Sequence, residues 1–177
     1  CIRDRKRNIL ENPGWYTAYT PYQAEIAQGR LEALINYQTM VTDLTGMDLA
    51  NASLLDEGTA ASEAMTMFYR VRKGPKKSSS KFFVSNKTYP QTVELLKTRS
   101  VPLGIELVID DISNFDYSDD FFGALIQYPD SDGNIESPSS LIEKCNEKNI
   151  FTCVCSDLMS LVLFKPPGEF GASAVVG

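Results

Sequence analysis

The sequence contains no histidine. That absence excludes a Ser-His-Asp or Cys-His unit. Acid–base work near neutral pH would fall to a shifted carboxylate, lysine, tyrosine or cysteine. Cysteine is scarce, with four in 177 residues: Cys1, Cys145, Cys153 and Cys155. A core of this size folds without disulfide staples, and the spacing lacks the CxxC pairs and further ligands of a metal site. Cys153 and Cys155 alternate within IFTCVC, which places both on one face of a strand as reduced core residues. A reducing compartment follows. Long apolar runs are missing too, all of them well short of the roughly 18 residues that a membrane-spanning helix requires. Positive charge is in deficit, 17 basic against 23 acidic side chains for a net charge of −6. Such a chain is a poor binder of nucleic acid or of an anionic membrane. No internal repeat or low-complexity tract appears, and the opening CIRDRKR has no recognisable signal or transit character.

What is present is enough apolar material for one ordinary domain, 43% hydrophobic with 10% aromatic residues. Residues 12–22, NPGWYTAYTPY, carry two prolines, a glycine and four large aromatics, and read as an ordered, extended loop. Ile26, Ala33, Tyr37, Met40 and Leu44 then fall on one face of a helix over about residues 23–46, with Gly46 as its stop. Gly29 inside that helix costs about 1 kcal/mol relative to alanine, which points to close packing against another backbone. Asp56-Glu57-Gly58-Thr59 reads as a turn opening a second helix that runs to about Arg72, with Asp56 or Thr59 as its cap. Met65, Phe68 and Val71 mark its apolar side. GPKKSSS, residues 74–80, reads as a polar, exposed connection.

Beyond it the pattern alternates. Strands are expected at 81–85, 105–110, 123–129 and 150–157, and helices at 89–98 and 138–148. Short apolar strands alternating with helices predict an α/β fold with a mostly parallel sheet covered on both faces. The terminal run SAVVG also reads as a strand, and its position suggests a cut chain. In such folds ligands gather at the carboxyl ends of strands and at helix N-termini. Asp56–Thr59 and Ser156-Asp157 occupy such places, although a plain capping role suits both.

A longer signal is more specific. NPGWYTAYTPYQAEIAQGRLEALINYQTMVTDLTGMDLANASLLDEGTAASEAM, from Asn12 to Met65, closely resembles the amino-terminal half of glycine decarboxylase, the P-protein of the glycine cleavage system. KPPGEFGASAVVG, residues 165–177, resembles a later stretch of the same half, and 81–157 fit as the sheet between. The form GWYTAYTPYQAE looks more like the long single-chain enzyme than the two-subunit version. CIRDRKR departs from the expected pattern.

The resemblance implies a pyridoxal-phosphate-dependent aminotransferase-like (fold type I) architecture. Residues 1–22 would form an N-terminal segment with the aromatic loop. Residues 23–177 would form the α/β large domain, truncated at its C-terminus. It implies a glycine dehydrogenase (aminomethyl-transferring, decarboxylating) that uses pyridoxal phosphate. Carbon dioxide leaves glycine and the aminomethyl group passes to the lipoyl arm of H-protein. Glycine, H-protein and a second copy in a homodimer are the implied partners. The compartment is mitochondrial for a eukaryotic source and cytoplasmic otherwise. The lysine that carries the cofactor belongs to the other half of the family's long form, so no catalytic residue is assigned here and the fragment alone is expected to be inactive. Tyr19, Thr20, Tyr22 and Gln23 are expected to line the glycine and cofactor cleft, with Glu25 behind them or serving as a first-turn acid. Glu57, Gly58 and Thr59 occupy the place of a phosphate loop. Asp56 and Glu57 would oppose a phosphate there, so the turn reads as a relic of duplication. Asp157 sits where the working half pairs an aspartate with the pyridine nitrogen, and a structural role is expected of it here. The alternative reading is a catalytically silent half that supports dimerisation and H-protein binding.

Overall fold

A computed structural model describes residues 2–12 and 28–177. They divide into two units, Cys1–Asp43 with Asp48–Ala52, and Leu44–Met47 with Ser53–Gly177. The first unit holds a short helix, Ile2–Arg5, continuing as a π-helical turn over Lys6–Leu10, and most of helix α1, Gln28–Thr45. Gln38 Nε2 donates to the Ala50 carbonyl at 2.8 Å and so ties the chain that leaves α1 to the helix. Helix α1 stops at Gly46, whose φ of +68° is the left-handed conformation that terminates helices cheaply only at glycine. The face expected to be buried is open in part: Tyr37 and Met40 are exposed, while Ala33 and Leu44 are half-buried. Helical spacing marks a face able to pack; it does not supply the partner. Ile26 lies outside the described residues.

The second unit is built on five parallel strands: β1 Lys81–Ser85, β2 Glu106–Asp110, β3 Phe121–Tyr128, β4 Phe151–Ser156 and β5 Ala174–Val176. Their order is β2-β1-β3-β4-β5. The expected strands and helices are all present, with ends shifted by a residue or two. All eight residues of β3 are buried, as a central strand covered on both faces must be.

Three helices cover the sheet: α2 Glu57–Val71, α3 Pro90–Ser100 and α4 Ser139–Glu147. On one face Phe82, Val84, Leu125, Cys153 and Cys155 meet Ala61, Ala64, Met65 and Phe68 of α2 and Leu96 of α3. On the other, Phe83, Ala124, Ile126 and Val154 meet Leu141, Ile142 and Cys145 of α4, together with Phe115 and Leu161. Each fully buried large side chain contributes about 1.5–3 kcal/mol. Cys153 and Cys155 do share a face, and with Cys145 they are free and buried. Val71 departs from expectation. It is 46% exposed because it closes the last turn of α2, beyond the cover of the sheet.

The connection 74–80 is exposed along most of its length, as expected, but Gly74–Ser78 coil into a 3-10 turn in which Lys76 is buried, and Ser79 is buried just after it. The Lys76 ammonium donates to Asp119 Oδ1 at 3.1 Å and to the Ser118 carbonyl at 3.3 Å, and Ser79 Oγ donates to the Asp119 carbonyl at 2.7 Å. Lys81 pairs with Asp120 at 3.2 Å. The basic run thus clamps the acidic run 116–120, fixing the amino ends of β1 and β3 side by side. Complementarity between distant segments, invisible in a local pattern, draws Lys76 and Ser79 inward.

Gly168, in the turn Pro167–Phe170, runs against the end of α1. A Cβ there would overlap the Gly46 carbonyl and lie 2.7 Å from the Thr45 oxygen. Gly168→Ala should therefore destabilise by about 1–3 kcal/mol. A thermal midpoint of the full-length protein that does not fall would count against this close approach.

Candidate functional site at the carboxyl edge of the sheet

The carboxyl ends of the strands gather most of the polar groups of interest. At the start of α2, Asp56 is extended and its Oδ1 accepts the Thr59 N–H at 2.7 Å. That backbone hydrogen bond, with a further contribution from the Thr59 side chain, holds the Asp56 carboxyl below the usual carboxylate range. Gly58 is buried against Leu95 and Thr92 of α3, and a Cβ here would press on the Leu95 side chain at 3.1 Å.

Beneath this turn lies the polar part of the core. Glu57 reaches the Cys155 thiol. Hydrogen bonding with Cys153 and burial push that thiol well above its ordinary value, and Glu57 acts in the same direction. Gln127 of β3 stands beside Cys155 in the parallel ladder. Glu57 Oε1, Gln127 Oε1 and the hydroxyls of Thr88 and Thr92 are buried with no hydrogen-bond partner among the described residues.

The fit of a cofactor phosphate to this turn can be judged from these contacts. The Thr59 N–H is already taken by Asp56, and Glu57 adds a second carboxylate at the same helix end. A dianionic phosphate would meet repulsion and a filled donor, so the residues present do not fit it. Asp157 is likewise committed, its Oδ1 accepting the Met159 N–H at 2.9 Å at the start of a turn. Tyr19, Thr20, Tyr22, Gln23 and Glu25 lie outside the described residues, so this geometry bears only on Glu57, Gly58, Thr59 and Asp157.

A second feature was not anticipated from the sequence. A cavity of about 600 Å³ opens between the ends of β1 and β3 and the first turns of α4. Its walls include Ser85, Lys87, Phe115, Tyr117, Ile126 and Lys144. Only the strand order could have revealed it, because β1 and β3 become neighbours across an intervening strand.

A family model for the glycine cleavage system P-protein matches residues 5–177. The chain belongs to this family. The match takes in Arg5 and Lys6, part of the opening set apart as a departure. The glycine dehydrogenase (decarboxylating) of Christiangramia forsetii is 58% identical over 174 residues, and that of Synechocystis sp. is 56% identical over 172. Each alignment covers 97% of this chain but only 18% and 17% of the respective relative. The chain thus spans less than a fifth of the length of the curated relatives it matches. The crystal structure of glycine decarboxylase (P-protein) of the glycine cleavage system in inhibitor-bound form superposes with a TM-score of 0.79. It is 28% identical and covers 92% of this chain and 37% of that one. Cystathionine gamma synthase from Xanthomonas oryzae shares the fold at 16% identity and a TM-score of 0.57, covering 76% of this chain and 34% of its own. The fold is the type I architecture of pyridoxal phosphate enzymes, as the P-protein resemblance implies.

The lowered pKa of Asp56 has a definite sign. Its stabilisation is complete above the unfolded value, near 3.8, and is lost as pH falls through the lower folded value. Asn caps equally well and does not titrate. Asp56→Asn in the full-length protein should therefore lose less thermal midpoint than wild type between pH 5 and about pH 3. Parallel acid profiles for the two proteins would remove Asp56 from the account.

Proposed function

We propose that this chain contributes one wall of the active cleft to a pyridoxal-phosphate-dependent glycine dehydrogenase (decarboxylating). In this reading the whole protein decarboxylates glycine and hands the aminomethyl group to the lipoyl arm of H-protein. The observation that carries the reading is the match along 97% of the chain to relatives bearing that name. When bound, the cofactor supplies the electron sink for loss of carbon dioxide. The chain's own residues bind and orient. Glycine offers little besides its carboxylate and amine, so a few fixed donors must hold it. The hydroxyls of Tyr19, Thr20 and Tyr22 and the amide of Gln23 are suited to do so as neutral hydrogen-bonding groups. Glu25 stands behind them or favours the helix start.

Glu57, Gly58 and Thr59 are proposed as a relic of a phosphate loop. The self-capping by Asp56 supports that reading, since it spends a donor that a phosphate would need. A homodimer is the proposed assembly. The relatives named above are bacterial, which favours the cytoplasmic over the mitochondrial alternative, and among the described residues no helix is long and apolar enough to cross a membrane.

Tyr19→Phe or Tyr22→Phe in the full-length enzyme should lower glycine decarboxylation about tenfold to a hundredfold, as expected when a dry site loses a donor worth about 1–3 kcal/mol in the transition state. Trp15→Phe, assigned to packing, should stay near wild type. Unchanged kcat and KM in both tyrosine variants would favour the silent-half reading.

Borohydride reduction of the loaded full-length enzyme should label no lysine within this segment. An amine that carries the cofactor must be desolvated beside a held phosphate, and Lys76, the buried lysine of the basic run, is already bonded to Asp119. A pyridoxyl-lysine peptide mapping to residues 1–177 would refute this.

A further inference from the structure

We infer that the cavity between the ends of β1 and β3 is a binding site for a small, flat monocarboxylate such as an aromatic acid. The inference begins with topology. β1 leaves the sheet through α3, on the face covered by α2, whereas β3 leaves through α4 on the opposite face. The strand order turns back at this pair, and crevices at such switch points are where open parallel sheets take their ligands. At about 600 Å³ the cavity is of ligand size.

Its chemistry narrows the ligand. The floor is apolar: Ile126 is buried on the α4 face of the sheet, and Leu141 closes it from α4. One wall is aromatic and rigid. Phe115 is stacked on Phe83 at 4.3 Å and meets the edge of Phe121 at 5.0 Å, with Tyr117 tilted against it at 4.4 Å. Tyr117 adopts a φ of +52°, a left-handed backbone that costs a bulky aromatic about 1–3 kcal/mol. That strain sets its ring at the cavity wall. Burial, with a smaller contribution from Cys145, raises the Tyr117 pKa, so its hydroxyl stays a neutral donor.

Charge fixes the other end. Lys87 is engaged by Asp132. Lys144 lies 5.6 Å over the Tyr117 ring and has no carboxylate partner among the described residues. It is the lining cation left over. The lining carboxylates do not answer it. Asp111 Oδ1 accepts from the Ser113 N–H and hydroxyl, and Asp130 is spent on Asp132 and Asn134. Those same acids, with Glu136, make the surroundings hostile to a dianion. One free ammonium beside an apolar slot with aromatic walls therefore selects a single negative charge on a flat body.

Benzoate and its neutral isostere benzamide are suitable probes, titrated by ligand-observed NMR onto the full-length protein. Lys144→Gln removes the charge on an exposed stretch of α4, and Ser140→Trp puts a bulky ring into the cavity lining. Benzoate should bind wild type at least tenfold more tightly than benzamide, and both substitutions should weaken benzoate about tenfold or more with the thermal midpoint unchanged. Equal binding of the two probes overturns the inference. So does a benzoate affinity indifferent to both substitutions, which would place the acid elsewhere in the full-length chain.

Discussion

Everything in the larger unit depends on burying β3 from both sides. Eight consecutive residues, Phe121–Tyr128, are removed from water, and a strand can be so enclosed only if both its neighbours and both its faces are filled. β1 and β4 satisfy its ladder, α2 and α3 close one face, and α4 closes the other. Polar groups are then forced to the rims. At the amino rim they make the Lys76–Asp119 clamp; at the carboxyl rim they make the α2 turn, the Gln127 and Cys155 layer, and the cavity beside Tyr117.

The two rims differ in what they can do. The amino rim is largely closed on itself, Lys76 meeting Asp119 and Lys81 meeting Asp120. The carboxyl rim retains uncommitted groups, among them Glu57 Oε1, Gln127 Oε1 and the Lys144 ammonium. Unsatisfied polar groups are expensive when buried, so their concentration at one end is consistent with the general placement of ligand chemistry beyond the carboxyl ends of parallel strands. The α2 turn is the exception, since Asp56 closes it internally.

Much of this was legible in the sequence, and what was not has a common cause. KFFVS, IELVID and IFTCVC announce strands because apolar and β-branched runs bounded by polar turns have few other uses. The alternation of Cys153 and Cys155 predicts their shared face. Asp56 as a cap follows from its place before Glu57-Gly58-Thr59. Local pattern says nothing, however, about which strands become neighbours. The docking of Lys76 onto Asp119, the pairing of β1 with β3 and the cavity that this pairing creates all arise from residues some forty positions apart. Tyr117 in a left-handed backbone is equally unreadable, because nothing in Phe-Asp-Tyr-Ser favours that conformation over an extended one.

The strand order has a consequence for how the sheet is assembled as the chain is made. β1 occupies an inner position, yet both of its neighbours, β2 and β3, come later in the sequence. Parallel strands cannot pair until the intervening crossover has been formed. As the chain lengthens, Phe82 finds α2 already made, whereas Phe83 emerges well before Phe115, Phe121 and α4, which cover its face of the sheet. The segment following them acquires order backwards, with β3 completing what β1 began. The polar residues on either side of this aromatic pair, Lys76 to Lys81 before it and Asn86 to Thr88 after it, serve the nascent chain as solubilising flanks before some of them take up their places in the finished rims.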